Sequence, residues 1–378
     1  MRAARTVVPS GPVLLHGFYG AGNVGDEAIL GASLDLLRDG GYDATVVAED
    51  AEAVASAWGV RALSRQAGRA ERGGALVRAR AYLLGGGGLL KDYGEGSGNV
   101  ARWLHWLNWS AQAGVPTMLW SVGVENVVRP ESERMIREAL ARVDVVTTRD
   151  EASAERLRAL GVDRPIAVTA DPVPYGVRRW RRDAAPDPER PLVAVSLRHW
   201  YARGSETVDD VAFGRMLGEL ATALDRLVAE RSARVVLVPF RAAPYDDDRA
   251  VLSDLAGRMS AEAALDESGL QGVRATAALL SRASLVVGMR LHAAVIATTL
   301  GVPTLAIGYM PKVADYMAEI GQAERVRAVE AIEAGWLHAE AGRALDDIAA
   351  ERADLLRATD VLAGRFETNL ALLQSVAP

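Results

Sequence analysis

The 378-residue chain contains no cysteine, and that absence alone removes disulfides, thiolate nucleophiles and zinc–thiolate centres. Lysine is almost missing too: only Lys91 and Lys312 interrupt a basic complement of 43 residues that is otherwise arginine. Enrichment in arginine and alanine looks like genome bias, so a retained lysine suggests a place that needs a compact, movable ammonium rather than a planar fork. There is no excess of positive charge; the net charge is −6, without blocks of one sign. That argues against nucleic acid or an anionic membrane as a direct partner. Apolar runs such as Val13–Leu15 and Val302–Ile307 are far too short to span a bilayer. The N-terminal stretch runs directly into a strand and turn, so no signal peptide is expected. The expectation is a soluble, cytoplasmic protein. His16, His105 and His338 share no ligand spacing, and no metal site is expected.

What is present is an alternation of short apolar runs with longer helical patterns, the mark of parallel α/β architecture. Strands are predicted at Val13–His16, Ala44–Ala48, Tyr82–Leu84, Thr117–Val122, Val143–Thr147 and Ile166–Thr169, with helices such as Asp26–Arg38 and Asn99–Ala113 between them. A second series follows at Leu192–Leu197, Arg234–Pro239, Leu285–Val287 and Thr304–Ile307. Length favours two domains. The pattern divides into an N-terminal Rossmann-like acceptor domain (1–175), an Arg-, Pro- and Asp-rich linker (176–190), a C-terminal Rossmann-like donor domain (191–343) and a C-terminal helix (344–378). Two such halves with a terminal helix make a GT-B-like layout, with ligands expected at the carboxyl ends of the parallel strands.

Gly20, Gly22 and Gly25 form a literal G-x-G-x-x-G between the first strand and the first helix, and Glu49 sits near the position of a ribose-binding acid. A nicotinamide- or flavin-dependent oxidoreductase is therefore one reading. Against it, Asp26 and Glu27 place two carboxylates in the first helical turn, where a pyrophosphate would have to sit. An acceptor site fits better, with Asn23, Asp26 and Glu27 beside neutral hydroxyls; the bland alternative makes Asp26 a helix cap and Glu27 a first-turn acid. Gly85–Gly88, followed by Lys91, lets backbone approach a ligand or a neighbouring loop closely, and adds Gly87 and Lys91 to the acceptor candidates. Trp103, Trp106 and Trp109 recur on one helix, a spacing that serves packing more often than sugar stacking.

In the second half, Gly288-Met289-Arg290-Leu291-His292 reads as strand, turn and helix start. Arg290 and His292 then lie beside the opening N–H groups of a helix, an anion pocket made of dipole, guanidinium and imidazole. Arg198 and Lys312 leave neighbouring strands on the same sheet edge. Gly288, Leu291, Arg290, His292, Arg198 and Lys312 are the donor-site candidates. Three cations exceed what one phosphate needs and suit a ligand bearing both phosphate and carboxylate.

The segments GFYGAGNVGDEAIL, GGGGLLKD, TTRDEASAERLRALGV, SLR and VGMRLHAAVIATTLGVPTLAIGYMPKV together resemble the polysaccharide pyruvyltransferase family of the CsaB type, over roughly residues 12–320. The resemblance implies transfer of a pyruvyl group from phosphoenolpyruvate to two hydroxyls of a cell-wall sugar, of N-acetylmannosamine type, as a cyclic ketal. It implies no cofactor beyond phosphoenolpyruvate as co-substrate, an acceptor carried on a lipid, and hence room for peripheral membrane contact; a homo-oligomer is compatible. It places His292, Arg290 and Lys312 in catalysis and Arg149 near the acceptor. Val122-Gly123-Val124-Glu125-Asn126 departs from the family's usual Gly-Ile-Gly-Pro. Other readings are a GT-B glycosyltransferase using a nucleotide sugar, and a non-catalytic sugar- or dinucleotide-binding protein.

Overall fold

A computed structural model describes residues 10–92, 96–180, 187, 189–200, 209–244 and 246–378. The chain forms two compact units, one of Met1–Ala21, Asp26–Gly176 and Leu362–Pro378, the other of Gly22–Gly25 and Val177–Val361.

The first unit holds a seven-stranded parallel sheet of β1 (Val13–His16), β2 (Ala44–Ala48), β3 (Arg61–Ser64), β4 (Ala81–Gly85), β5 (Thr117–Val122), β6 (Val145–Thr148) and β7 (Ala167–Val168), in the order β3-β2-β1-β4-β5-β6-β7. Its crossovers are helices α1 (Val24–Asp39), α2 (Ala51–Trp58), α3 (Arg69–Arg78), α4 (Gly98–Gln112), α5 (Pro130–Leu140) and α6 (Glu151–Ala159), with α7 (Val173–Trp180) after the last strand. The strands β1, β4 and β5 are buried along their whole length, as expected where helices cover both faces of a parallel sheet. Local chemistry sets the helix ends. Asp50 caps α2 and Asp150 caps α6, each carboxylate accepting a backbone N–H three residues on, while Pro130 occupies the first turn of α5, where its missing N–H costs nothing.

The second unit holds a six-stranded sheet in the order β12-β9-β8-β13-β14-β15, formed by β8 (Leu192–Ser196), β9 (Arg234–Leu237), β12 (Ala263–Leu265), β13 (Leu285–Gly288), β14 (Thr304–Gly308) and β15 (Val326–Ala328). A separate two-residue hairpin, β10 (Ala242–Ala243) with β11 (Asp246–Asp247), is antiparallel. Helices here are α8 (Asp210–Arg231), α9 (Asp248–Arg258), α10 (Val273–Leu280), α11 (Leu291–Thr299), α12 (Pro311–Glu319), α13 (Ala334–Asp346) and α14 (Ile348–Gln374). On one face of the sheet Val193, Val195 and Leu197 join Leu217, Leu220 and Leu224 of α8 in a continuous core. The other side chains of β8 therefore point to the opposite face.

Five short strands add to those predicted: β3, β12 and β15 in the two sheets, and β10 and β11 in the hairpin. The expected linker starts as helix, since α7 continues to Trp180, and residues 181–186 and 188 lie outside the described residues. The expected helix over 344–378 is two helices, and residues 362–378 belong to the first unit. There Phe366 packs edge-on against Trp120, with ring centroids 5.7 Å apart. Asn369 is wholly buried. Its Nδ2 donates to Ser121 Oγ at 3.0 Å, and its Oδ1 accepts from Thr147 Oγ1 at 2.8 Å. The partner it serves is unusual: Ser121 sits at φ 51°, where β5 slips register against β6, a conformation that a side-chain-bearing residue keeps only when its surroundings impose it.

Candidate active site

The core of the second unit's site is a turn built by strand register. Gly288 ends β13 opposite Ser196 of β8, and Met289 N–H donates to Ser196 O at 2.8 Å. Arg290 follows in extended conformation at the N-cap position of α11 but does not cap it. Helix α11 is apolar and buried all round, and His292 alone of its residues is partly exposed. A helix with no outward face has one exit to solvent, its first turn.

Arg290, 6% exposed, reaches back to two carboxylates. Its Nε and Nη2 clasp Asp248 at 3.1 and 2.5 Å, and Nη2 also meets Asp246 at 3.0 Å. Asp248 is fully buried at the start of α9 and accepts the N–H groups of Phe240 and Arg241 at 3.0 and 3.1 Å. Burial works against the Arg290 charge, but the Asp248 and Asp246 carboxylates more than offset it and raise its pKa. Burial likewise pushes the Asp248 carboxyl up, against the opposing pull of Arg290. Asp246 behaves differently. Burial would raise it, yet the guanidiniums of Arg290, Arg198 and Arg241 together hold it below the ordinary carboxylate range; Arg241 lies 3.3 Å and Arg198 3.7 Å from its oxygens. Tyr309 collects the remaining cations: Arg198 Cζ lies 5.1 Å and Lys312 Nζ 5.5 Å from its ring centroid. Arg198, Arg290 and Lys312 thus meet as the strand ends predicted, while Arg241, Asp246, Asp248 and Tyr309 join them from positions no motif marked. Leu291 and Gly288 are buried backbone positions beneath the site.

The glycine-rich turn contributes its last four residues to this unit. Val24 N–H donates to Phe240 O at 3.0 Å, and Asn23 forms an isolated antiparallel bridge with Arg241. Asn23 Oδ1 accepts Gly25 N–H at 3.0 Å and so starts α1. Gly25 is needed for closeness: a Cβ there would lie 2.3 Å from His292 Nδ1. The loop's remaining chemistry disagrees with a dinucleotide fingerprint. Gly20 N–H, which would face a pyrophosphate, donates to Glu27 Oε1 at 2.7 Å, and Glu49 pairs with Arg65. Glu27 Oε2 accepts from Trp58 Nε1 at 3.3 Å. Burial raises the Glu27 carboxyl, partly countered by the Gly20 bond. Glu27 therefore ties the turn together.

The first unit gathers the other acceptor candidates around Gly85–Gly88. A Cβ would strike Trp120 from Gly85, Ile29 from Gly86 and Glu125 from Gly88, at 2.3, 2.0 and 2.1 Å. At Gly87, with φ +77°, it would stand 3.2 Å from Asp26 Oδ1. Asp26 and Glu125 thus flank this loop. Glu125 is 5% exposed and pairs with Lys91 at 3.7 Å and with buried Arg149 at 3.4 Å; Arg149 Nε also donates to Asp150 at 2.9 Å. Burial opposes the Arg149 charge, and Asp150 and Glu125 more than restore it. Lys91, Arg149, Asp26 and Gly87 are brought together with Glu125, which sequence reasoning noted only as a departure from the resemblance. Trp103 and Trp106 are buried against His16 and Tyr82, a packing role. Among the described residues no group of three His, Asp or Glu side chains is arranged to hold a metal, and no helix is long and apolar enough to cross a membrane.

Comparison with solved structures shows the fold. A glycosyltransferase from Rickettsia africae superposes with a TM-score of 0.63 at 10% identity, over 97% of this chain and 99% of that one. The UDP-GlcNAc 2-epimerase of Neisseria meningitidis, bound to UDP-GlcNAc, gives 0.58 at 12% over 97% and 99%. The glycosyltransferase SnogD of Streptomyces nogalater gives 0.52 at 16% over 98% and 100%. The architecture is GT-B-like, with two Rossmann-like α/β domains, as the strand pattern predicted. No curated protein sequence matches the chain. The family model for polysaccharide pyruvyl transferase matches residues 23–310, a span that contains Gly25, Glu125, Arg198, Asp246, Arg290, His292 and Tyr309 and ends just short of Lys312. The chain is a transferase that belongs to the polysaccharide pyruvyl transferase family.

Proposed function

We propose that the chain moves the pyruvyl group of phosphoenolpyruvate onto two hydroxyls of a sugar, of N-acetylmannosamine type and carried on a cytoplasmic lipid-linked cell-wall precursor, closing a cyclic ketal. The observation that carries this reading is the cation cluster around Asp246 and Tyr309, beside the uncapped start of α11 and its one partly exposed residue, His292. A small ligand with two acidic groups needs such a concentration of guanidinium and ammonium; a neutral sugar does not.

In the reaction His292 donates a proton to the methylene carbon of phosphoenolpyruvate. The central carbon becomes oxocarbenium-like, and the first hydroxyl adds to it while its proton passes to a carboxylate. The C–O bond to phosphate then breaks, phosphate leaves with the electron pair, and the second hydroxyl adds to the oxocarbenium-like carbon that remains, its proton passing to the deprotonated His292. Arg198 and Lys312 neutralise donor and leaving group. That carboxylate is Asp26 or Glu27, of which Glu27 has both oxygens bound to the turn. A thermal-shift comparison separates the readings: phosphoenolpyruvate stabilises the protein, whereas UDP-GlcNAc and NAD do not. Stabilisation by UDP-GlcNAc without any response to phosphoenolpyruvate would instead establish a nucleotide-sugar glycosyltransferase. Phosphate release that depends on added acceptor, and that His292→Ala abolishes, is the corresponding activity measurement.

A further inference from the structure

The hydroxyl of Ser196 has no hydrogen-bond partner among the described residues, although the residue is only 1% exposed. A buried hydroxyl without a partner loses its hydration and gains nothing in return, so native proteins keep few of them without a reason. Its direction follows from the sheet. Val195 and Leu197 belong to the core shared with α8, so Ser196 projects from the opposite face. Its register partner Gly288 shows what lies there: a Cβ at Gly288 would stand 3.5 Å from Ala294 N and 3.6 Å from Ala293 Cβ, in the first turn of α11. The opening N–H groups of that nine-residue helix receive no side-chain cap, because the N-cap residue is Arg290, whose guanidinium can only donate and is held by Asp246 and Asp248. A donor hydroxyl thus lies on the sheet face that the first turn of α11 covers, where even a Cβ at Gly288 would be in van der Waals contact with that turn.

We infer that Ser196 and the first turn of α11 form the seat of the phosphate group, with the Ser196 O–H donating to a phosphate oxygen. The carboxylate of the same ligand then falls to Arg198 and Lys312 beside Tyr309. This rests on the donor reading above, in that it divides the two acidic groups of one ligand between two parts of the cluster.

The test is Ser196→Ala, compared with Ser284→Ala. Ser284 is equally buried in this unit, but its hydroxyl accepts Leu192 N–H at 3.3 Å. Titration calorimetry with inorganic phosphate, pyruvate and phosphoenolpyruvate is run alongside ligand-free melting. Ser196→Ala weakens phosphate and phosphoenolpyruvate by about tenfold or more, the scale of a hydrogen bond to a charged group. It leaves pyruvate unchanged and does not lower the melting temperature, whereas Ser284→Ala lowers melting and spares phosphate. Wild-type affinity for phosphate in Ser196→Ala overturns the inference. So does a melting loss like that of Ser284→Ala without a loss of phosphate, which would make the hydroxyl structural. If the wild-type protein takes phosphate through Ser196 but shows no affinity for phosphoenolpyruvate, the seat stands and the pyruvyl-donor reading falls. If it binds none of the three, both fall.

Discussion

Substituting alanine for Gly25 moves the proposed acid without touching any charge. The new Cβ would lie 2.3 Å from His292 Nδ1, 2.7 Å from Cγ and 2.8 Å from Cβ, where ordinary contact starts at 3.4 Å. One side must give by about 1 Å, and contacts this close are strongly repulsive in a packed interior. Gly25 is helical rather than left-handed, so alanine meets no backbone penalty and recovers about 0.5–1 kcal/mol of helix propensity. The imidazole is the softer partner, since α11 is otherwise buried while His292 is partly exposed. A displacement of about 1 Å of a reacting group costs on the order of 100-fold in rate. Gly25→Ala therefore folds with a modestly lowered melting temperature, an overpacking cost of about 1–3 kcal/mol being partly offset by the helix gain. It loses about two orders of magnitude in kcat for acceptor-dependent phosphate release, and changes KM for phosphoenolpyruvate far less. Turnover within twofold of wild type would refute the placement of His292 at the reacting atoms. A raised KM with unchanged kcat would reduce it to a binding residue.

His16 is buried and neutral, its pKa driven from 6.5 to about 3 by burial and then by Arg65. Because the folded value is depressed, its contribution to stability is complete above pH 6.5 and is lost as pH falls toward 3. That amounts to about 2 kcal/mol at pH 5, so the urea midpoint of wild type drops more between pH 7.5 and pH 5 than that of His16→Gln; parallel drops would refute it. Gly88→Ala puts a Cβ 2.1 Å from Glu125 Oε1, and should raise KM for the sugar while leaving calorimetric phosphoenolpyruvate affinity within about twofold; an unchanged sugar KM excludes Glu125 from the acceptor site. Arg290→Lys forfeits the fork on Asp248 and destabilises the protein by about 3 kcal/mol in urea titration. Arg198→Lys, at the half-exposed Tyr309, lowers phosphoenolpyruvate affinity with little change in midpoint, and equal stability losses in the two variants would contradict their different roles.

The parallel α/β pattern was legible because doubly covered strands are continuous apolar runs, and β1, β4, β5, β13 and β14 are of that kind. The strands that escaped notice carry too few apolar residues: β3 is Arg-Ala-Leu-Ser with an exposed first residue, and β15 is only three residues long. Arg198, Arg290 and Lys312 were legible because each follows a strand end at the same sheet edge, whereas Arg241 was not. Nor were their acidic partners. Asp246 and Asp248 lie on and after a two-residue hairpin with no periodicity, and nothing local distinguishes them from surface acids; only the fold brings them within 3.0 and 2.5 Å of Arg290. Gly25 was visible as a glycine but for a different reason, since the motif suggested a pyrophosphate and the fold supplies an imidazole.

Why the proposed anion site should hold two carboxylates follows from electrostatics. Arg198, Arg241 and Arg290 all lie within 3.7 Å of Asp246, and guanidiniums so close repel one another unless counter-charge is built in. Asp248 supplies a permanent part of it. Two backbone N–H groups and the Arg290 fork satisfy its oxygens, and it is fully buried, so no ligand can replace it. Arg290 is thereby spent largely on the scaffold, with Nε and Nη2 both committed. Asp246 supplies the other part, at the partly exposed edge, and its depressed pKa keeps it charged across neutral pH. Arg198 and Lys312, held over Tyr309 rather than locked into Asp248, are the cations that the proposed reading assigns to the donor. A site arranged in this way keeps its geometry when empty and still presents positive charge. In the proposed reaction that preorganisation is what a short-lived, charge-separated transition state needs, because no energy then goes into reorienting dipoles as phosphate departs.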